Sequence, residues 1–369
     1  MRERILVTGG AGFIGCHVVE RLLERGYEVR ILDSLVEQVH RAGSRPNPVL
    51  RAAEFLNGDV RDAEAVERAL KGVDRVIHLA AEVGVGQSMY AIDRYVTAND
   101  AGTAVLLQGL LAQPVRRIVV ASSMSIYGEG LYRDARGNAI ETVERSTDHQ
   151  RSWDPVDADG RPLTPLPTPE WKRPFLASVY ALTKYVQERL TMTVAPAYGM
   201  EAVALRLFNV YGPGQALSNP YTGVLAIFAS RLLNEQPVAI FEDGNQRRDF
   251  VHVDDVARAF VLAMEHPMAP GGVFNIASGR DRTIHEIARL LASAMGREHL
   301  PAEIVGKVRA GDIRHCFADI SLAENRLGFR PQRTLEQSLG ALAEWVAQQN
   351  AVDHFGEAQR ELQARGLVA

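Results

Sequence analysis

The sequence predicts a doubly wound α/β fold, a parallel sheet wrapped by helices, followed by a smaller mixed α/β domain. Three observations lead there. Short runs rich in Val, Ile and Leu alternate with segments of helical spacing through the first half of the chain. The first run enters its helix through a glycine-rich turn, Thr8-Gly9-Gly10-Ala11-Gly12-Phe13-Ile14-Gly15. Beyond Phe208 the alternation gives way to a mixed pattern with loops rich in Gly and Pro.

The apolar runs Ile5–Thr8, Glu28–Leu32, Arg75–Leu79 and Arg116–Ala121 are four to six residues long and read as buried parallel strands. Ile14–Glu24, Ala63–Leu70 and Ala101–Leu111 lie between them as helices. Such alternation builds right-handed βαβ units. A helix from about Ser178 to Ala197 and a strand over Ala202–Leu207 continue the series. A sheet domain is therefore expected over 1–207 and a second domain over 208–369, with 249–266 returning to the first. The odd segment is Glu129–Pro174, which carries many Pro, Asp and Arg residues, two Trp, and little periodicity. A structureless insertion of that length is usually a lid or a mobile excursion.

The 369 residues, 46% of them hydrophobic, suffice for a sizeable core. A net charge of −4 offers neither a nucleic-acid footprint nor a polybasic membrane patch. Cys16 and Cys316 are too few for a disulfide framework or a zinc cage and suit a reducing cytoplasm. No His/Cys/carboxylate cluster has metal-ligand spacing, so no metal is expected. The N-terminal run reads as a strand, not a signal peptide, and no stretch of about 18 apolar residues occurs.

Glycines at 10, 12 and 15 satisfy GxGxxG between a strand and a helix. Such glycines permit a tight turn and close backbone approach to a pyrophosphate, and the helix start favours the anion. Gly9, Gly12, Phe13, Ile14 and Gly15 are thus candidate cofactor contacts. The second strand leads into Asp33, 18 residues after Gly15, with Ser34 beside it. A carboxylate there holds both ribose hydroxyls and repels a 2′-phosphate, which favours NAD over NADP. Asp59 and Val60 end a third strand near the adenine, and Leu79, Ala80 and Ala81 offer small residues beside the cofactor or plain core packing. His78 reads as a satisfied core histidine.

Two segments carry the chemistry. Ser122 and Ser123 fall at the C-terminal edge of the fifth strand, where doubly wound sheets place ligands. Tyr180 and Lys184 stand at i and i+4 near a helix start, so both can point into one cleft. A phenol with a pKa of about 10 is a poor base at neutral pH. Positive charge nearby favours phenolate. Tyr180 would then take a hydroxyl proton while hydride leaves to NAD⁺. Ser123 would hold the same oxygen, and Lys184 would also hold the cofactor ribose.

Together these residues resemble the extended short-chain dehydrogenase/reductase family in its nucleotide-sugar epimerase/dehydratase branch. The resemblance spans nearly the whole chain. It includes Asn99, the Ser123…Tyr180…Lys184 set, Arg206-Leu207-Phe208-Asn209-Val210-Tyr211-Gly212-Pro213, the stretch Gly244–Val256, and Arg309-Ala310-Gly311-Asp312. It implies a Rossmann sheet domain, a cofactor contact at Asn99, and substrate diphosphate contacts at Asn209, Arg248 and Arg309. It also implies a nucleotide-ribose contact at Asp312 and a homodimer built through a helix pair, for which Ala101–Leu111 and Ser178–Ala197 are the candidates. Arginine matches phosphate oxygens through its planar fork.

Within the branch, 4,6-dehydratases carry an Asp-Glu pair where Met124-Ser125 stand here, and decarboxylases carry Glu in place of Ser125. Neither acid is present, so reversible oxidation at C4, and hence 4-epimerisation, remains. Leu217–Val224 and the insertion are similar to those of bacterial epimerases of dTDP-6-deoxyhexoses, which implies a substrate such as dTDP-L-rhamnose. The insertion lacks the paired cysteines that such relatives often carry. Rival readings are a UDP-glucose or UDP-glucuronate type 4-epimerase, an oxidoreductase that releases the keto sugar, and a catalytically silent NAD-binding regulator.

Overall fold

The computed structural model describes residues 2–40, 49–143 and 153–368. Seven strands form one parallel sheet: β1 (Arg4–Thr8), β2 (Glu28–Asp33), β3 (Glu54–Asn57), β4 (Arg75–His78), β5 (Arg117–Ser123), β6 (Glu201–Leu207) and β7 (Val273–Ile276). Their order is β7-β6-β5-β4-β1-β2-β3. The order reverses between β1 and β4, and a crevice opens at such a switch point outside the carboxyl ends of the strands. Every residue of β5 is buried, as expected of a central parallel strand.

Helices cover both faces. On one side α1 (Phe13–Glu24) and α5 (Val253–Glu265) pack Val18, Val19 and Leu22 against Val256 and Phe260. On the other, α2 (Ala63–Leu70), α3 (Gly102–Ala112) and α4 (Val179–Ala197) bury Val66, Leu106, Leu110 and Ala195. Helix α3 is preceded by a π-helical stretch, Val96–Ala101, that sequence periodicity does not reveal. π-turns inside helices frequently mark functional regions.

The smaller unit is mixed. Its core joins Leu225, Phe228 and Leu232 to Ile287 and Leu291 and to Leu335, Leu339 and Val346. Helices 284–294 and 335–347 each start at a threonine capping box, Thr283 with Glu286 and Thr334 with Gln337. The chain also returns to the large sheet beyond 266, since β7 and the helix Ser321–Leu327 pack there. We propose a division that counts these returning pieces with the sheet.

The insertion is not structureless where it is described. Leu131–Arg133 pairs antiparallel with both Ala139–Ile140 and Thr164–Leu166; its residues 144–152 lie outside the described residues. Polar side chains hold it down. Arg314, 1% exposed, donates to Asp154 at 2.7 Å, to Glu242 at 2.9 Å and to Asp243 at 2.6 Å. Glu129 accepts from the Arg314 and His315 amides. Low periodicity concealed these anchors because they are charges paired over long sequence distances.

Beneath the C-terminal edge of the sheet lies a second buried pair. Arg206 of β6 grips both carboxylate oxygens of Glu188 on α4, at 2.7 and 3.0 Å, and also donates to the Tyr127 hydroxyl and the Glu170 carbonyl. Removing one partner of such a pair leaves a charge without compensation in a dry site. Arg206→Leu is expected to cost about 3–5 kcal/mol, read as a lower denaturant midpoint, with Arg206→Lys rescuing only part because lysine lacks the fork. A loss below about 1 kcal/mol would show the pair to be dispensable.

Candidate active site

The strand–turn–helix at β1 and α1 explains its glycines. Gly9 has φ +69°, and a Cβ there would stand 2.7 Å from the Ala80 nitrogen. A Cβ on Gly15 would meet the Gly9 carbonyl oxygen at 2.3 Å. Gly12 begins α1 with no side chain capping it, so the first-turn N–H groups are available to an anion. The cleft beside them is lined by Gly9, Gly12, Phe13, Ile14, Gly15, Asp33, Ser34, Asp59, Val60, Leu79, Ala80 and Ala81. Asp33 sits at the end of β2, its Oδ2 accepting from the Ala11 amide at 3.0 Å and its Oδ1 from Leu35. A bare helix start, a carboxylate at the strand end and the small residues Ala80 and Ala81 just beyond β4 fit a dinucleotide such as NAD.

Ser122, Ser123, Tyr180 and Lys184 line the far end of the same cleft. Ser178 caps α4 by accepting from the Ala181 amide at 3.1 Å, which fixes the start of the helix and puts Tyr180 in its first turn. Tyr180 and Ser123 line the cleft together, and burial pushes the phenol up while Ser123 pulls it partly back. Burial lowers Lys184 to about 7, with Glu188 opposing the shift. Its Nζ donates to Gln187 Oε1 at 2.7 Å, and Gln187 in turn donates to Thr103. The sequence predicts a phenol lowered by Lys184; in the chain alone desolvation governs both groups. Ser122 donates to Glu188 at 2.6 Å, so it braces the ion pair as well as lining the cleft. His78 is a core histidine, held between Thr8 at 2.7 Å and Thr103 at 2.9 Å and lowered by burial to about 3.

Asn99 lies elsewhere than expected. It is fully buried in the π-helical stretch and does not line the cleft. Its amide clamps the Glu82 backbone, at 2.7 and 3.1 Å, to Thr183 of α4 at 3.0 Å. Any contribution of Asn99 to the cleft would thus be made through Glu82, whose backbone it holds.

A second cavity meets the first. Both are lined by Val85, Met124, Ser125, Asn209, Tyr221 and Thr222. The second continues past Arg248, Arg309 and Asp312 to Phe241, Val224 and Phe228. Asn209 Oδ1 is buried with no hydrogen-bond partner, an acceptor at the junction waiting for a donor. Arg248 is braced by the Arg247 and Arg314 carbonyls at 3.0 and 2.9 Å and also by Ile313. Arg309 stacks over the Phe241 ring at 4.5 Å and pairs with Asp312 at 3.0 Å. The structure thus brings Asn209, Arg248, Arg309 and Asp312 to one cavity. Sequence reasoning missed Gly86, Phe241 and a C-terminal helix face that also lines it; only the amphipathic spacing of that helix was visible in the chain.

Two measurements test this geometry. In protein freed of NAD, an NMR titration of Lys184, assigned with Lys184→Met, is expected to show it charged below and neutral above a midpoint of about 7. A midpoint near the ordinary 10.5 would contradict its desolvation. Asp33→Ala is expected to reduce selectivity for NAD over NADP by about tenfold; unchanged selectivity would remove Asp33 from the ribose.

The family model described as the NAD dependent epimerase/dehydratase family matches residues 5–152 and 162–277. A dTDP-L-rhamnose 4-epimerase of Burkholderia thailandensis is 36% identical over 352 residues, 94% of this chain and 96% of that protein. The structure of UDP-glucose 4-epimerase from Thermotoga maritima with UDP-glucose is similar at a TM-score of 0.75 and 34% identity, covering 93% of this chain and 98% of that one. That of the Thermus thermophilus UDP-glucose 4-epimerase complex with NAD has a TM-score of 0.72 and 30% identity, covering 94% and 100%.

Proposed function

The chain belongs to the NAD-dependent epimerase/dehydratase family, and on that premise we propose that it inverts C4 of a dTDP-linked 6-deoxyhexose such as dTDP-L-rhamnose. That it is an NAD-dependent nucleotide-sugar epimerase follows from its relatives; the sugar and the roles of individual residues are our reading. The supporting observation is the make-up of the cavity junction. Val85, Met124, Ser125, Asn209, Tyr221 and Thr222 hold no carboxylate, so elimination or decarboxylation lacks an acid beside the sugar.

Bound in the cleft lined by Gly12, Gly15 and Asp33, NAD would supply a reversible hydride acceptor at C4. Tyr180 takes the C4 hydroxyl proton as hydride leaves and gives it back on return. Ser123 donates to the same oxygen and holds it beside the phenol. Lys184 below its pKa adds positive charge that favours phenolate, and it orients the cofactor ribose from the same helix face. Phe13, Ile14 and Gly15 present their amides to the pyrophosphate, and Asp33 takes the adenosine ribose. Arg248, Arg309 and Asn209 anchor the substrate diphosphate while Asp312 meets the nucleotide ribose. Firm anchoring there leaves the 4-keto sugar free to turn and present its other face.

We also propose a homodimer in a reducing cytoplasm. Ile92, Val96 and Leu182 are exposed on neighbouring helical segments, at 51%, 37% and 44%, which suits a helix-pair interface; Cys16 and Cys316 are buried and not joined in a disulfide. Among the described residues no helix is long and apolar enough to cross a membrane.

The test is to incubate the purified protein, without added NAD, with a panel of dTDP- and UDP-sugars and follow products by NMR. Interconversion of a C4 pair of a dTDP-6-deoxyhexose, without net keto sugar, is expected. Tyr180→Phe is expected to lose about 10²–10⁴-fold in turnover with NAD still bound. A released keto sugar, turnover confined to UDP-hexoses, or an active Tyr180→Phe would overturn the corresponding part.

A further inference from the structure

The C-terminal helix Phe355–Ala364 turns its apolar face to the substrate cavity. Phe355, Ala358, Gln359 and Leu362 all line it. Their spacing of i, i+3, i+4 and i+7 is a single helix face. Phe355, Ala358 and Leu362 belong to none of the apolar core clusters of the described residues. Ten residues are too few for a stable helix in isolation, and both ends are pinned. At the start, Arg231 pairs with Asp353 at 3.1 Å and lies over the Phe355 ring at 4.8 Å. At the end, Arg365 lies over Tyr90 at 4.4 Å, and the Leu367 carbonyl accepts from the Ala310 amide at 2.9 Å. The helix is thus strapped across the cavity, with its apolar face directed inward.

Its direction is defined. Phe355 lies by Arg231, near the far end of the helix Val224–Leu233, whose N-cap Gly223 lines the junction with the cofactor cleft. A Cβ placed on Gly86 would stand 3.4 and 3.5 Å from the two methyls of Leu362. Gly86 lies beside Val85, at the junction with the cofactor cleft, where the reacting sugar must sit. Leu362 therefore reaches the sugar end, roughly 10 Å along the helix from Phe355 at about 1.5 Å per residue.

We infer that this helix is a specificity lid and that Leu362, with Val85 and Met124, forms the apolar wall that accepts the C5 methyl of a 6-deoxyhexose. The inference rests on the 4-epimerase reading above. A 6-hydroxyl or 6-carboxylate against that wall loses its water without gaining a partner. Apolar pockets discriminate against an added hydroxyl by up to about a hundredfold. Such a wall also offers no directional bond to arrest the turning keto sugar.

The test uses dTDP-6-deoxyglucose and dTDP-glucose, which differ only in the 6-hydroxyl, with binding to the NAD-loaded full chain measured by calorimetry. The wild type is expected to favour the deoxy sugar by about tenfold or more, and Leu362→Gln to bring the ratio close to one while NAD affinity is unchanged. A wild type that favours the hydroxylated sugar, or a ratio untouched by Leu362→Gln, would overturn the assignment. Should that variant fold poorly, trypsin cleavage of the wild type at Arg360 and Arg365 gives a separate reading. Saturating dTDP-6-deoxyglucose is expected to slow it severalfold, and equal rates with and without the ligand would overturn the lid. Failure of the epimerase reading is separately visible, as absence of C4 interconversion in the NMR panel whatever the binding ratio.

Discussion

The site depends on the buried pairing of Glu188 with Arg206. Two opposite charges without water are tolerable only when each finds nearly all its partners, so their geometry admits little variation. Glu188 is one helical turn beyond Lys184 and two beyond Tyr180 on α4. Fixing Glu188 against β6 and Ser122 of β5 therefore fixes the height and rotation of the whole face. Tyr127 extends the brace to Asn275 of β7 at 2.8 Å. The phenol meets Ser123 because three strands hold the helix two turns farther down.

The same dryness shapes the chemistry. Burial disfavours the charged form of both Tyr180 and Lys184, so neither carries its charge cheaply in the resting cleft. In the proposed mechanism, a base that is reluctant when idle and favoured by charge arriving with its ligands would couple proton removal to assembly of the full complex. His78 contributes the opposite quality. Held neutral between two threonines, it stiffens the floor of the cleft without adding a second titration near neutral pH.

The substrate side is built differently. Its cationic groups are braced by backbone carbonyls, by the Phe241 ring and by Asp312, and its outer boundary is a short helix strapped over the opening. The insertion is fastened from below by Arg314. The sheet edge thus carries the groups proposed to react, while the smaller unit and the C-terminal helix line the proposed sugar cavity.

Local patterns were enough for the parallel sheet, the glycine turn, Asp33 and the Tyr180/Lys184 face, because each obeys a short-range rule. Strands read as apolar runs, glycines serve where backbones nearly touch, and i and i+4 share a helix face. Four features depended on the folded chain. Asn99 became a clamp on Glu82 and Thr183, since an amide's partners 17 and 84 residues away leave no local trace. The insertion gained a sheet and a charged anchor through Arg314, whose Asp154 partner is 160 residues distant. Residues 273–276 joined the large sheet through a register with β6 that periodicity does not encode. The helix 355–364 shows its amphipathic face in sequence, but what that face covers is set by distant contacts at Arg231, Tyr90 and Ala310. Periodicity reveals that a face is apolar; only packing determines whether it meets a core or a ligand.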